Sequence, residues 1–216
     1  MTESAKPVVP LETAHFLNRE LSLLQFNKRV LAMAEDETTP LLERLRYVCI
    51  VGSNLDEFFE IRVSSLKEQM RSFPTLRGPD GLTAGQAFEH VQDVVHRLVH
   101  KIYALLNSEI LPKLHAEGIY AHPPSEWNDA QKAWAHDVFV RDVMPLLTPI
   151  GLDPAHPFPR VLNKSLNFMV TLSGDDAFGR KATIAVVQAP RALPRLIRMP
   201  TTVSGMPHSF ILLTSL

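Results

Sequence analysis

Asn54, Asp56 and Glu57 bring one amide and two carboxylates into four residues. Paired carboxylates can serve a metal ion or acid/base work, yet Asn followed three residues later by Glu is also the signature of a helix N-cap. In a first helical turn Asp56 and Glu57 complement the positive end of the helix dipole, so a structural role is expected for both. Arg44, Arg46 and Arg62 suit phosphate oxygens through their planar guanidinium groups, and they equally suit the solvated face of an amphipathic helix. His96 and His100 stand four apart, the spacing of two zinc ligands on one helical face, but no HExxH carboxylate accompanies them and they lie off the apolar seam. His156 sits among prolines whose fixed backbone suits a structural crossover as well as a presented imidazole.

Other chemistries find little support. Gly78-Pro79-Asp80-Gly81 is turn chemistry, and no Gly-Lys-Ser/Thr follows it or Gly85 to make a phosphate cradle. No Ser/His/Asp order, GxSxG elbow or CxxC pair stands out, so the residues alone name no catalytic group and no metal site. A net charge of -1 over 216 residues supplies no general field for nucleic acid or an anionic membrane. The single cysteine, Cys49, excludes an internal disulfide and fits a reducing compartment. Residues 1–11 hold no secretory h-region and no apolar run is long enough to span a bilayer, so a cytoplasmic, non-spanning chain is expected.

Helices must position these groups. Five of the 17 prolines precede residue 112, so the first half can be helical and the second cannot be mainly so. Ser22-Leu23-Leu24-Gln25 predicts a helix over 22–35 with Leu23, Phe26, Val30 and Ala34 on its buried face. Thr39-Pro40 opens a second helix ending near Gly52, and Asn54 caps a third that runs to about Arg71. Phe88, Val91, Val95, Leu98, Ile102 and Leu105 recur in steps of three and four, which predicts a long helix packed lengthwise in a bundle. Beyond Gly118, a short helix over 130–144 precedes a proline cluster and strands at 166–172, 182–187 and 210–213, with a turn over 174–179. The fold class is therefore α+β: an all-α helical bundle over 14–117 behind a disordered tail at 1–13, then an α+β head over 118–216 with an antiparallel sheet. The last strand, 210–213, runs to the end of the chain and leaves an edge uncovered, which suggests an incomplete second domain.

Arg19-Glu20-Leu21-Ser22, Phe26-Asn27, Arg29-Val30-Leu31, Pro40 to Leu45, and Ser53-Asn54-Leu55-Asp56-Glu57-Phe58-Phe59 with Arg62-Val63 together resemble the opening of polyphosphate kinase. Leu147-Thr148-Pro149, Asp153 to Pro159 and Asn163 to Asn167 resemble the family's next domain. Leu23 departs from the pattern, which usually has Trp there; local packing is the property expected to feel it.

The resemblance implies four parts: a helical N-terminal domain, a head used in dimer contacts, and two C-terminal domains resembling phospholipase D whose histidine accepts the phosphoryl group. It implies reversible transfer of the terminal phosphate of ATP to inorganic polyphosphate, with Mg2+ carried with ATP on the domains not represented here. ATP/ADP and polyphosphate are the implied partners, in a homo-oligomer that binds no nucleic acid; the parent protein has room for peripheral membrane association. Asn54 is the residue the resemblance places beside ATP, where its amide can offer adenine one donor and one acceptor. These residues alone are expected to be inert. The rival reading is a non-enzymatic helical module that binds a protein partner through the seam from Phe88 to Leu105.

Overall fold

The computed structural model describes residues 12–152, 157–174 and 184–216, and the chain divides into two units, Met1–Ala116 and Glu117–Leu216. The readings at residues 1–11, at His156 and over most of the 174–179 turn fall outside the described residues.

In the first unit, α1 (Arg19–Glu35) begins three residues before the expected start. Its N-cap is Asn18, whose Oδ1 accepts from the Leu21 amide at 3.0 Å, so the Ser22 capping box is not used. The buried face of α1 runs through Leu24, Asn27, Leu31 and Ala34, so Ala34 is buried as expected while the other three positions lie one residue beyond Leu23, Phe26 and Val30. The helix carries two apolar stripes about 100° apart, and packing against α2 and α4 selects the second.

Asn54 does not cap a helix. Helix α2 (Leu41–Glu57) passes through Gly52 and Asn54 without a break, continues as a π-helical turn over Phe58–Val63 and ends as α3 (Ser64–Ser72). Burial explains the continuity: Arg44, Val48, Val51, Leu55 and Phe58 recur in steps of four and three across the expected break. Keeping that face buried outweighs the ~1 kcal/mol that an interior glycine costs.

The next buried position after Phe58 is Val63, a step of five, and the π turn lies between them. The same step separates Leu105 from Ile110 and Val138 from Val143, and each pair is bridged by a π turn, over Leu106–Ile110 and Phe139–Val143. A wider turn absorbs one extra residue without rotating the apolar face away from the core.

Helix α4 (Ala84–Leu105) starts at a capping box between Thr83 and Gln86 and buries Val91, Val95, Leu98, Ile102 and Leu105, as the spacing predicts. It packs on α1 and α3, and α5 (Leu111–Ala116) completes the unit. Burying a side chain such as Leu24, Leu31 or Ile110 contributes about 1.5–3 kcal/mol each.

The second unit contains α6 (Asp129–Val138), capped by Asn128, and two three-stranded sheets. The strands are β1 (Ile119–Ala121), β2 (Pro149–Gly151), β3 (Asn167–Thr171), β4 (Ile184–Gln188), β5 (Leu196–Met199) and β6 (His208–Leu212). One sheet has the order β2-β4-β3 and is antiparallel throughout. The other, β1-β6-β5, pairs β5 with β6 antiparallel and β1 with β6 parallel. β6 is therefore a central strand with both edges paired, and the uncovered edge expected at the chain end is not there. The short helix α7 (Thr201–Ser204) links β5 to β6. Ala135, Met199 and Ile211 form one apolar cluster of this unit, and Val143, Ala189 and Leu213 another.

Candidate functional site

Where the end of α2 meets the outer stripe of α1, Leu23, Phe26, Asn27, Asn54, Glu57, Phe58, Ile61 and Arg62 line an open cavity of about 240 Å³. Ligand pockets usually measure about 300–1,000 Å³, so this one suits part of a nucleotide, such as a base. The α1 stripe that the core leaves unused builds its wall: Phe26 is 47% exposed and Leu23 half-buried. Leu23, where the resemblance implied a change felt in local packing, lines the cavity.

Asn54 is half-buried, and its Nδ2 donates to Asn27 Oδ1 at 2.9 Å. Asn27 is buried and donates through its own Nδ2 to the Leu23 carbonyl at 3.1 Å. The expectation that a cap would occupy the Asn54 oxygen is reversed: Oδ1 accepts nothing from the described residues, while one N–H is engaged by Asn27. The amide keeps one acceptor and one further N–H for a ligand. Asn27 is a residue that sequence reasoning missed; its polar side chain at a buried position of α1 was the available signal.

The three arginines separate. Arg62 lines the cavity and has no ion-pair partner among the described residues. Arg44 is buried in the helical core, bonded to the Ala34 carbonyl and to Glu109, so it does not line the cavity. Arg46 is exposed and pairs with Glu43 at 3.6 Å. Of the two acids, Glu57 lines the cavity and Asp56 is exposed, each at the C-terminal end of α2 and neither in a first turn. The dipole argument for them therefore fails. His96 and His100 are both exposed on α4.

Glu57 is the single carboxylate among the lining residues, and no group of three or more His, Cys, Asp or Glu among the described residues could hold a metal. The donor set does not fit a resident Mg2+. No described helix is long and apolar enough to cross a membrane. The seam of α4 is consumed by the core of its own unit, which leaves it unable to dock a partner.

A larger cleft of about 540 Å³ lies between the start of α1 and the 73–83 loop. Two of its polar pairs are engaged internally: Asn18 donates to Asp80 at 2.7 Å and Arg77 to the Gly81 carbonyl at 2.7 Å. The Gly78–Gly81 segment is a turn, closed by the Gly81 amide on the Gly78 carbonyl, with Gly81 at φ +81°.

A family model described as the polyphosphate kinase N-terminal domain matches residues 16–122, and one described as the polyphosphate kinase middle domain matches residues 130–216. The polyphosphate kinase of Paraburkholderia phytofirmans is 58% identical over 200 residues, which is 93% of this chain and 29% of that protein. That of Burkholderia vietnamiensis is 58% identical over 199 residues, again 29% of its length. The crystal structure of the polyphosphate kinase from Porphyromonas gingivalis superposes with a TM-score of 0.75 at 24% identity, covering 93% of this chain and 29% of that one, and so shares the fold. The chain spans under a third of the length of these relatives. With its two units matched in order by the family's N-terminal and middle domains, this chain belongs to the polyphosphate kinase family.

Proposed function

We propose that these residues form the N-terminal and middle portion of an enzyme that reversibly transfers the terminal phosphate of ATP to inorganic polyphosphate, and that their part is to bind the base of the nucleotide. On this reading residues 14–117 are the helical N-terminal domain and 118–216 belong to the head used in dimer contacts. The phosphoryl-accepting histidine and the Mg2+ that accompanies ATP belong to parts of the enzyme beyond this chain. The enzyme acts in the cytoplasm on ATP/ADP and polyphosphate, as a homo-oligomer.

One observation supports the nucleotide-binding role: the Asn54 amide lines a base-sized cavity with its oxygen unclaimed by any described residue. An acceptor and a donor side by side match the amino group and ring nitrogen of adenine. Phe26, Phe58, Ile61 and Leu23 offer apolar surface to the ring, and Arg62 supplies a cation at the rim for a phosphate.

Asn54→Ala in the full-length enzyme tests it. Losing a paired contact worth about 1–3 kcal/mol raises the KM for ATP roughly 5- to 150-fold, with kcat little changed. An unchanged KM together with a lower melting temperature leaves Asn54 only its bond to Asn27 and overturns the reading.

A further inference from the structure

We infer that Asn27 is a positioning residue for base selection, holding the Asn54 amide so that its oxygen faces the nucleotide and the site favours a 6-amino over a 6-oxo purine. The inference rests on the reading that Asn54 meets the base.

A chain of hydrogen bonds fixes the direction. The Leu23 carbonyl can only accept, so the Asn27 side chain must turn its NH2 toward it, as the 3.1 Å bond records. The Asn27 Oδ1 then faces Asn54 and can also only accept, so Asn54 must present its own NH2, at 2.9 Å. Turning the Asn54 amide over would set two oxygens against each other. Asn27 cannot yield readily, because it is 4% exposed in the α1 face packed on α2. A freely rotating amide would match either purine, since its two ends exchange donor for acceptor. Held this way, Asn54 offers Oδ1 to a base amino group and an N–H to the neighbouring ring nitrogen. A 6-oxo purine places its carbonyl oxygen against Oδ1 and its ring N–H against an N–H, so both contacts become repulsive.

The test is steady-state kinetics of the full-length enzyme, reading the KM for ATP and the competitive inhibition constant of GTP against ATP. Asn27→Ala frees the Asn54 amide and lowers the ratio of GTP inhibition constant to ATP KM roughly tenfold, with kcat nearly unchanged. Asn27→Asp still accepts from Asn54, so it keeps the ratio near the wild-type value even if it melts at lower temperature. A wild-type ratio in Asn27→Ala, alongside a raised ATP KM in Asn54→Ala, overturns the role of Asn27 and leaves the nucleotide reading standing. Loss of the ratio in Asn27→Asp also overturns it, which keeps the idea open to refutation where the alanine variant does not fold. An unchanged ATP KM in Asn54→Ala removes the nucleotide reading and this inference with it.

Discussion

Replacing Arg44 by Met removes a charge from the core of the helical unit while keeping most of the side-chain volume. Arg44 is 2% exposed; its Nε donates to the Ala34 carbonyl at 2.6 Å and its Nη2 pairs with Glu109 at 3.0 Å. The Ala34 carbonyl belongs to the last turn of α1, whose carbonyls lack intrahelical partners, so the guanidinium acts as a C-cap delivered from α2. A hydrogen bond to a charged group contributes about 1.5–3 kcal/mol. The ion pair adds at most about 1 kcal/mol, because the Glu109 side chain is 45% exposed and solvent screens it. Arg44→Met therefore costs about 2–4 kcal/mol, or roughly 8–20 °C in melting temperature for a unit of this size. Thermal melts followed by far-UV circular dichroism measure the shift, and Arg44→Lys, with charge but no fork, falls between the two. A variant that melts within about 2 °C of the wild type refutes the capping role. If that same variant also loses ATP affinity in the full-length enzyme, Arg44 belongs to a phosphate path after all.

Two further outcomes follow from the same geometry. Bonds from Thr38 hold the Asp36 carboxyl below its ordinary range, and the bond from Lys113 does the same for Glu37. Groups with depressed folded values contribute stability that is complete above the ordinary carboxylate range, about 4, and is lost as pH falls through the lower folded values. Acid melts of an Asp36→Asn, Glu37→Gln double variant should accordingly show a shallower loss of stability below about pH 4; parallel slopes refute the assignment. Gly118 has φ +76°, and an added Cβ there meets the Pro207 ring at 3.4 Å. Gly118→Ala should destabilise the second unit by about 1–2 kcal/mol and Gly118→Asn by less, because Asn tolerates the left-handed region; equal melting temperatures for all three would contradict this.

Much of the first unit was legible because its signals are local. The seam of α4 from Val91 to Leu105 and the loop turn at Gly78–Gly81 each rest on residues a few positions apart, whose periodicity or backbone demands survive in any context. The proline distribution likewise separated a helical first half from a strand-bearing second half. In the second unit, β3, β4 and β6 were visible as apolar runs, whereas β1, β2 and β5 are three or four residues long and exist through their partners.

What the sequence determined alone was the family, carried by motifs such as Ser53 to Phe59, and the apolar spacing that makes the helices. Tertiary structure decided which of the two apolar stripes of α1 enters the core. That choice turned Leu23 and Phe26 from expected core into cavity wall and put Asn27 inside. It also decided that α2 runs past Gly52, because the buried face from Arg44 to Phe58 is worth more than a break at Gly52 followed by an N-cap at Asn54. A cap and a mid-helix amide share one sequence pattern, and only the neighbour across the helix pair distinguishes them: Asn27, 27 residues away in sequence, meets Asn54 at 2.9 Å.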